Sequence, residues 1–253
     1  MRCIDLSSTI SNSPADTPDF LKSEITYSDH AEGAAQATAI LGIKPELFRN
    51  SEGWATETIT KLGTHDSTHV DAPWHYNSEI QGKKAPTIDE LPVEWFFGNG
   101  VKFDMTHKEE ADPVTVDDME KELKRIDYTL QPFDIVLVCT GRDVFYGQAD
   151  YIFKGCGVTA EATKWLYEKG IRVMGIDGWG WDMPLNVQGQ QAMEKNEAGI
   201  FWSAHQVDLP YCHIERLVNL KDVPSTGFQV SCFPLKIEGG SAGPARVVAI
   251  LND

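Results

Sequence analysis

The sequence predicts an α/β protein, a β-sheet flanked by helices, and three observations predict it. Ile135–Cys139 is an unbroken apolar run of strand length, the pattern of a strand covered on both faces. Val116, Met119, Leu123 and Ile126 recur at spacings of three and four, which gives a helix one apolar stripe. Between Ile135 and Ile176 the order is strand, helix, strand, and that order implies a parallel pair with a right-handed crossover.

Taken in order, Cys3–Leu6 reads as a first strand. Residues 11 to 53 are mixed and support only an alanine-rich helix within His30–Leu41. Trp54–Leu62 is rich in threonine and reads as a strand, and Asn99–Met105 as another. His107–Asp112 reads as a charged, solvated turn. Thr115 caps the helix that follows, with Asp118 at its third position. A long loop spans Gly141–Gly157. Thr159 caps a second helix carrying Ala162, Trp165 and Leu166, which stops at Lys169 and Gly170. Ile171–Ile176 returns as a strand, and GIDGWGWDMP lies at its C-terminal end, where functional segments collect in such folds. Phe228–Ile237 and Ala245–Leu251 are the last two strands, joined by a glycine-rich hairpin. The absence of repeats, low-complexity tracts and linkers implies one domain over residues 1–253.

The chain has 253 residues, enough for a sizeable core. Its 38 acidic and 22 basic residues leave a formal charge of −16, which argues against nucleic acid and anionic membrane as partners. Cys3, Cys139, Cys156, Cys212 and Cys232 are odd in number and form no CxxC pair, so neither a disulfide framework nor a cysteine zinc site is expected. The N-terminus lacks an apolar signal region, and no apolar run approaches membrane-spanning length. The cytoplasm is the expected compartment.

The chemistry concentrates in Lys61–Tyr76, KLGTHDSTHVDAPWHY, which holds three of the seven histidines. Imidazole and carboxylate at close spacing are what a divalent cation needs. His65, His69, Asp71 and His75 all sit at odd positions and so share one face of an extended chain. A straight strand would hold His65 and His69 about 13 Å apart at the backbone, too far to close comfortably on one ion. Pro73 rules out a regular helix. A strand end curling into a loop is expected, with His65, His69 and Asp71 as metal ligands and His75 beside them as a proton carrier.

Elsewhere, His205 and Glu215 admit two readings: ligands of a second ion bridged by Asp71, or a structural histidine and a surface glutamate. Trp54, Trp74, Trp179, Trp181 and Trp202 divide between core packing and the lining of a pocket for a flat or apolar substrate. Gly239, Ser241 and Gly243 match G-x-S-x-G, but Pro244 and a strand follow and no histidine comes after His213. A nucleophile elbow needs a helix there and a later histidine, so a tight glycine-rich hairpin is expected ahead of a serine hydrolase. No glycine-rich phosphate loop is present.

The run His65-x-Ser67-Thr68-His69-x-Asp71-x-Pro73-x-His75 resembles the HxGTHxDxPxH signature of the putative cyclase family, which includes bacterial kynurenine formamidase and isatin hydrolase. The resemblance extends to GWATETIT, APTIDELP, DIVLVCTG, WLYEKGIRVMGID, YCHIERLVNL and CFPLKIEGGSAG. It implies a swivelling β/β/α fold with a mixed β-sheet, Mn2+ or Zn2+ in one or two positions, and a homodimer or homotetramer. By the match, His65, His69 and Asp71 hold metal, His75 is the catalytic histidine, and His205 and Glu215 take the second-ion places. The implied function is a metal-dependent hydrolase that opens an amide, formamide or lactam in a small, aromatic or cyclic substrate, with water activated by the ion and a histidine as acid and base. A lactonase, or a catalytically impaired metal-binding protein, are the alternatives. Two departures stand out. Ser67 replaces the family glycine, a position that suggests positive φ or close backbone approach. The His205 to Glu215 interval is also shorter than in the formamidases.

Overall fold

The computed structural model describes residues 1–15, 17 and 22–251, and strands and helices are interspersed along them. In chain order they are β1 (Arg2–Asp5), β2 (Glu24–Ser28), α1 (His30–Leu41), β3 (Thr56–Lys61), β4 (His69–Asp71), β5 (Glu79–Ile80), β6 (Lys83–Lys84) and β7 (Phe97–Asp104). There follow α2 (Val116–Arg125), β8 (Ile135–Cys139), α3 (Ala160–Glu168), β9 (Val173–Ile176) and α4 (Leu185–Lys195). The chain ends with β10 (Cys212–Glu215), β11 (Phe228–Ser231), β12 (Ala242–Pro244) and β13 (Val248–Leu251). Backbone contacts divide it into two units, Met1–Thr9 with Ser67–Asp253, and Ile10–Asp66.

The smaller unit holds the antiparallel pair β2–β3 and helix α1. Asp29 caps α1 and Glu32 returns the bond to the cap backbone, so two otherwise orphaned donors are satisfied. Gly42 ends it in the left-handed conformation. Gly33 lets the helix meet the backbone of Trp54, whose carbonyl would lie 1.8 Å from a Cβ there.

The larger unit is built on a nine-stranded sheet in the order β1-β13-β11-β7-β8-β9-β10-β4-β12. β7, β8, β9 and β10 run parallel, and the flanking strands pair antiparallel. The expected α/β class with a mixed sheet is therefore what the chain forms. Alternation along β8 sends Val136 and Val138 into one apolar cluster, with Met119, Ala162 and Leu166 of the helices. Ile135, Leu137 and Cys139 enter the other, with Leu6, Val70 and Ile214. Isolated antiparallel bridges join Ser7 to Leu217 and Pro234 to Ala245.

Two expectations need correction, and one helix had no sequence forerunner. The glycine-rich segment after Gly239 is not a simple hairpin: its Ala242–Pro244 forms the edge strand beside β4, with Pro244 opposite His69. A proline lacks the ladder donor and is tolerated at such an edge. Helix α4 was not anticipated, because LNVQGQQAMEK buries only Gln188 and carries little apolar periodicity. The turn after His107 is not merely solvated. Lys108 is nearly buried and pairs with Asp118 at 3.0 Å and Asp112 at 3.1 Å, tying the turn to the capped start of α2.

Candidate metal centre

Strands β4 and β10 bring two distant stretches of sequence together. Residues two apart on a strand share a face. His69 and Asp71 therefore project from one face of β4, and His213 and Glu215 from one face of β10. The antiparallel register sets His213 opposite Asp71 and Glu215 opposite His69. Val70 and Ile214 point the other way, into the apolar core. Local sequence thus separates packing from chemistry residue by residue. Beyond Asp71, Pro73 starts a single 3-10 turn, Pro73–His75, which is the expected curl. It leaves His75 half-buried, with Nε2 3.9 Å from Asp71 Oδ2.

Asp71 divides its two oxygens. Oδ1 lies 3.2 Å from His69 Nε2, and Oδ2 lies 2.9 Å from His213 Nε2. Glu215 divides likewise: Oε2 is 3.7 Å from His69 Nε2, while Oε1 is 3.2 Å from His213 Nε2 and 3.4 Å from His205 Nε2. Asp71, His205, His213 and Glu215 each offer a donor atom within 4.8 Å of all the others, and all four residues are buried.

Each imidazole is oriented by what holds its other side. His69 Nδ1 lies 2.9 Å from the Ser67 carbonyl. A carbonyl can only accept, so Nδ1 carries the hydrogen and Nε2 turns its lone pair toward the carboxylates. His205 is fixed by Asp182. The Asp182 carboxylate accepts from the backbone of Ala204 at 2.8 Å, from the backbone of His205 at 2.9 Å, and from His205 Nδ1 at 2.5 Å. His213 is held between two rings, stacked on Trp181 at 6.1 Å and on Tyr76 at 5.8 Å.

Ser67, in the place of the family glycine, has φ 54°, the left-handed conformation that a glycine adopts freely. Its Cβ makes that conformation cost about 1 kcal/mol. Its hydroxyl donates to the Thr9 carbonyl at 3.3 Å and accepts from Tyr146 at 3.2 Å, so the loop that presents His69 is built despite the strain.

The donor set fits a divalent cation. Burial alone would push the Glu215 carboxyl up, and Asp71 adds to this, yet His205 and His213 hold it well below the usual carboxylate range. Burial works against a charged His205, but Asp182 and Glu215 outweigh it and raise the imidazole to about 10. The field of the buried carboxylates thus favours positive charge among them, and protons or a metal ion can supply it. Contacts of 2.9–3.4 Å between donor atoms are also the edges expected of a coordination shell with bonds of about 2.0–2.1 Å.

Of the residues marked by sequence, His69, Asp71, His205 and Glu215 come together, with His75 at the rim. His65 and Trp54 belong to the smaller unit, where Trp54 Nε1 donates to Gln36 at 3.0 Å. Trp202 stacks on His205 at 5.0 Å and lies 5.2 Å from His75. Trp181 is fully buried and donates to Thr163. Trp179 lies under Arg216, and the partly exposed Trp74 under Lys84. Sequence reasoning missed two members, His213 and Asp182. The alternation in CHIE, apolar then ionisable twice over, was a usable signal for His213; Asp182 carried none.

With this geometry in view, comparison places the chain. A family profile described as putative cyclase matches residues 4–183, and the chain belongs to that family. The kynurenine formamidase of Bacillus thuringiensis (strain Al Hakam) is 24% identical over 249 residues, covering 97% of this chain and 95% of that protein. The structure of isatin hydrolase A from Labrenzia aggregata matches with a TM-score of 0.73 at 24% identity, covering 100% of this chain and 94% of the other. A "predicted metal-dependent hydrolase" from Bacillus stearothermophilus matches with a TM-score of 0.60 at 24% identity, covering 98% and 97%. By family and relatives, the protein is an enzyme of the hydrolase class.

Proposed function

We propose that the protein is a metal-dependent hydrolase that opens the C–N bond of an amide, formamide or lactam in a small molecule. The observation that carries this reading is the convergence of five buried donors, His69, Asp71, His205, His213 and Glu215, beside one half-buried histidine, His75. His65 is assigned as a further donor because it precedes His69 by four residues in the motif. A bound divalent ion, Mn2+ or Zn2+, supplies a Lewis acid for the substrate carbonyl and brings the pKa of water toward about 7.

The residues of the chain do the rest. Asp71 and Glu215 provide the negative charge that retains a cation. Asp182 holds His205 in one orientation and tautomer. His75, at the accessible rim, takes a proton from water at Nε2 and returns it to the leaving nitrogen, the two halves of general acid–base catalysis. Trp202, next to His75, offers its face to a flat substrate, while buried Trp181 supports His213 from behind. Ser67 adopts the conformation the family glycine would, which supports a working site over an impaired one. Residues 1–253 act as one functional domain in this reading. The five cysteines are free, in keeping with a reducing cytoplasm, and the family resemblance supports a homodimer or homotetramer.

The test is metal content by elemental analysis, together with hydrolysis of N-formylkynurenine, isatin and a panel of amides, lactams and lactones before and after chelation. Activity should vanish with the ion and return with Mn2+ or Zn2+. Metal-loaded protein that is silent on every C–N substrate would sink the proposal, and turnover of lactones alone would replace it. His75→Ala should keep its metal and lose about 10²–10⁴ in rate; unchanged turnover would remove His75 from the chemistry.

A further inference from the structure

The donor cluster has an inside and an outside. Side-chain exposure is 0% at His69, Asp71 and His213, 5% at His205 and 7% at Glu215, and only at the rim residue His75 does it rise to 22%. Asp71 Oδ2, His205 Nε2, His213 Nε2 and Glu215 Oε1 approach one another, and the rim residue His75 stands 3.9 Å from the same Asp71 oxygen. Asp71 Oδ1 and Glu215 Oε2 turn instead to His69. The two carboxylates therefore each serve two neighbouring positions, and the inner one gathers four protein donors that are all buried.

We infer that His213 is the fourth protein donor of an inner ion position, and that it closes this position to exchange. The inference rests on the metal-dependent reading above. Closed sites with four protein ligands hold structural ions, whereas sites that keep a place for water exchange and react. His213 suits the closing role because its approach is fixed by packing. It stands on β10 directly opposite Asp71, with its ring stacked between Trp181 and Tyr76, and its Nε2 reaches both Asp71 and Glu215. The protein should therefore carry one ion locked in the strand ladder and one held more loosely toward His69 and His75.

Zinc release into excess chelator, followed with a colorimetric indicator, tests this without turnover. Wild-type protein loaded with Zn2+ alone should release one equivalent fast and one slowly. His213→Leu, which fills the same space without a donor, should accelerate the slow phase by at least ~10–100-fold, the loss that even outer-shell changes produce. An unchanged slow phase in the variant overturns the inference and leaves the hydrolase reading standing. A slow phase that depends on His213 in a protein that hydrolyses nothing upholds the inference and sinks that reading. No retained zinc in the wild type overturns both. Should His213→Leu fail to fold, Co2+-loaded wild type decides. The inner position should give an intense visible band that added azide leaves unchanged, and a spectrum shifted wholly by azide overturns the inference.

Discussion

Strands β8 and β10 lie in the same sheet with only β9 between them, and every residue of both is buried. β8 is apolar throughout and divides its side chains between two cores. β10 alternates Cys212 and Ile214 with His213 and Glu215. Burying a leucine or valine side chain contributes roughly 1.5–3 kcal/mol, whereas burying an uncompensated charge costs several. β8 is therefore explained by its own packing and β10 is not; it needs positive charge beside its carboxylate. Another buried acid sharpens the contrast. Asp177, just past the end of β9, accepts from the Thr140 and Gly141 backbones at 2.8 Å and meets no imidazole among the described residues, and burial raises its carboxyl to about 6. Glu215, equally buried, is held low by two imidazoles. Burial is common to both acids, and the neighbouring donors decide the charge.

The largest effect that can break this comparison lies in β8. Leu137 occupies the space above Gly175, where a Cβ would come within 2.9 Å of it. Leu137→Ala should lose about 2–5 kcal/mol in urea unfolding while the metal content per chain stays unchanged. A variant that loses metal in step with stability would show that the two strands do not divide their labour. Next comes Asp177. Its folded value near 6 stands above the ordinary 3.8, so the folded state binds the proton more readily. Its contribution is fully present below pH 3.8 and is lost as pH rises through 6, up to ~3 kcal/mol. Relative to wild type, Asp177→Asn should therefore gain stability between pH 4 and pH 7, measured by denaturant midpoints; a pH-independent difference would refute the assignment. The smallest effect is at Ser67. Ser67→Gly should relieve the left-handed strain and change stability by about 1 kcal/mol or less, because the hydrogen bonds to Thr9 and from Tyr146 are lost with the hydroxyl. A large loss would mean that the hydroxyl, and not the backbone conformation, holds the His69 loop.

Much of this was legible in the sequence. β8 appeared at its full span, Ile135–Cys139, because a run apolar on both faces has few other meanings. Thr115 and Asp118 marked the start of α2, and both halves of the capping box are formed. His69, Asp71 and His75 were readable because they stand within one short segment. Glu215 was marked as a second-ion candidate, chiefly through the family resemblance, but its strand partner His213 was passed over, because the alternation in CHIE gains its meaning only when β4 is laid beside it. Asp182 was hidden for the same reason: its role is a contact with a residue far along the chain. The edge strand β12 escaped because glycine and proline signal a turn, and only the edge position makes them tolerable in a ladder.

The pairing of β4 with β10 also bears on how the chain assembles. It joins Asp71 to His213, residues more than half the chain apart, and contacts of that span form late because a long loop must close first. Strand pairs can also slip, and a one-residue slip of β4 against β10 would turn Val70 toward His213 and Glu215 and send His69 and Asp71 into the apolar core. Only the native register gathers imidazoles and carboxylates within reach of one another. A cation that needs all of them at once rewards that register alone, so the same side chains that define the site also distinguish correct from slipped assembly.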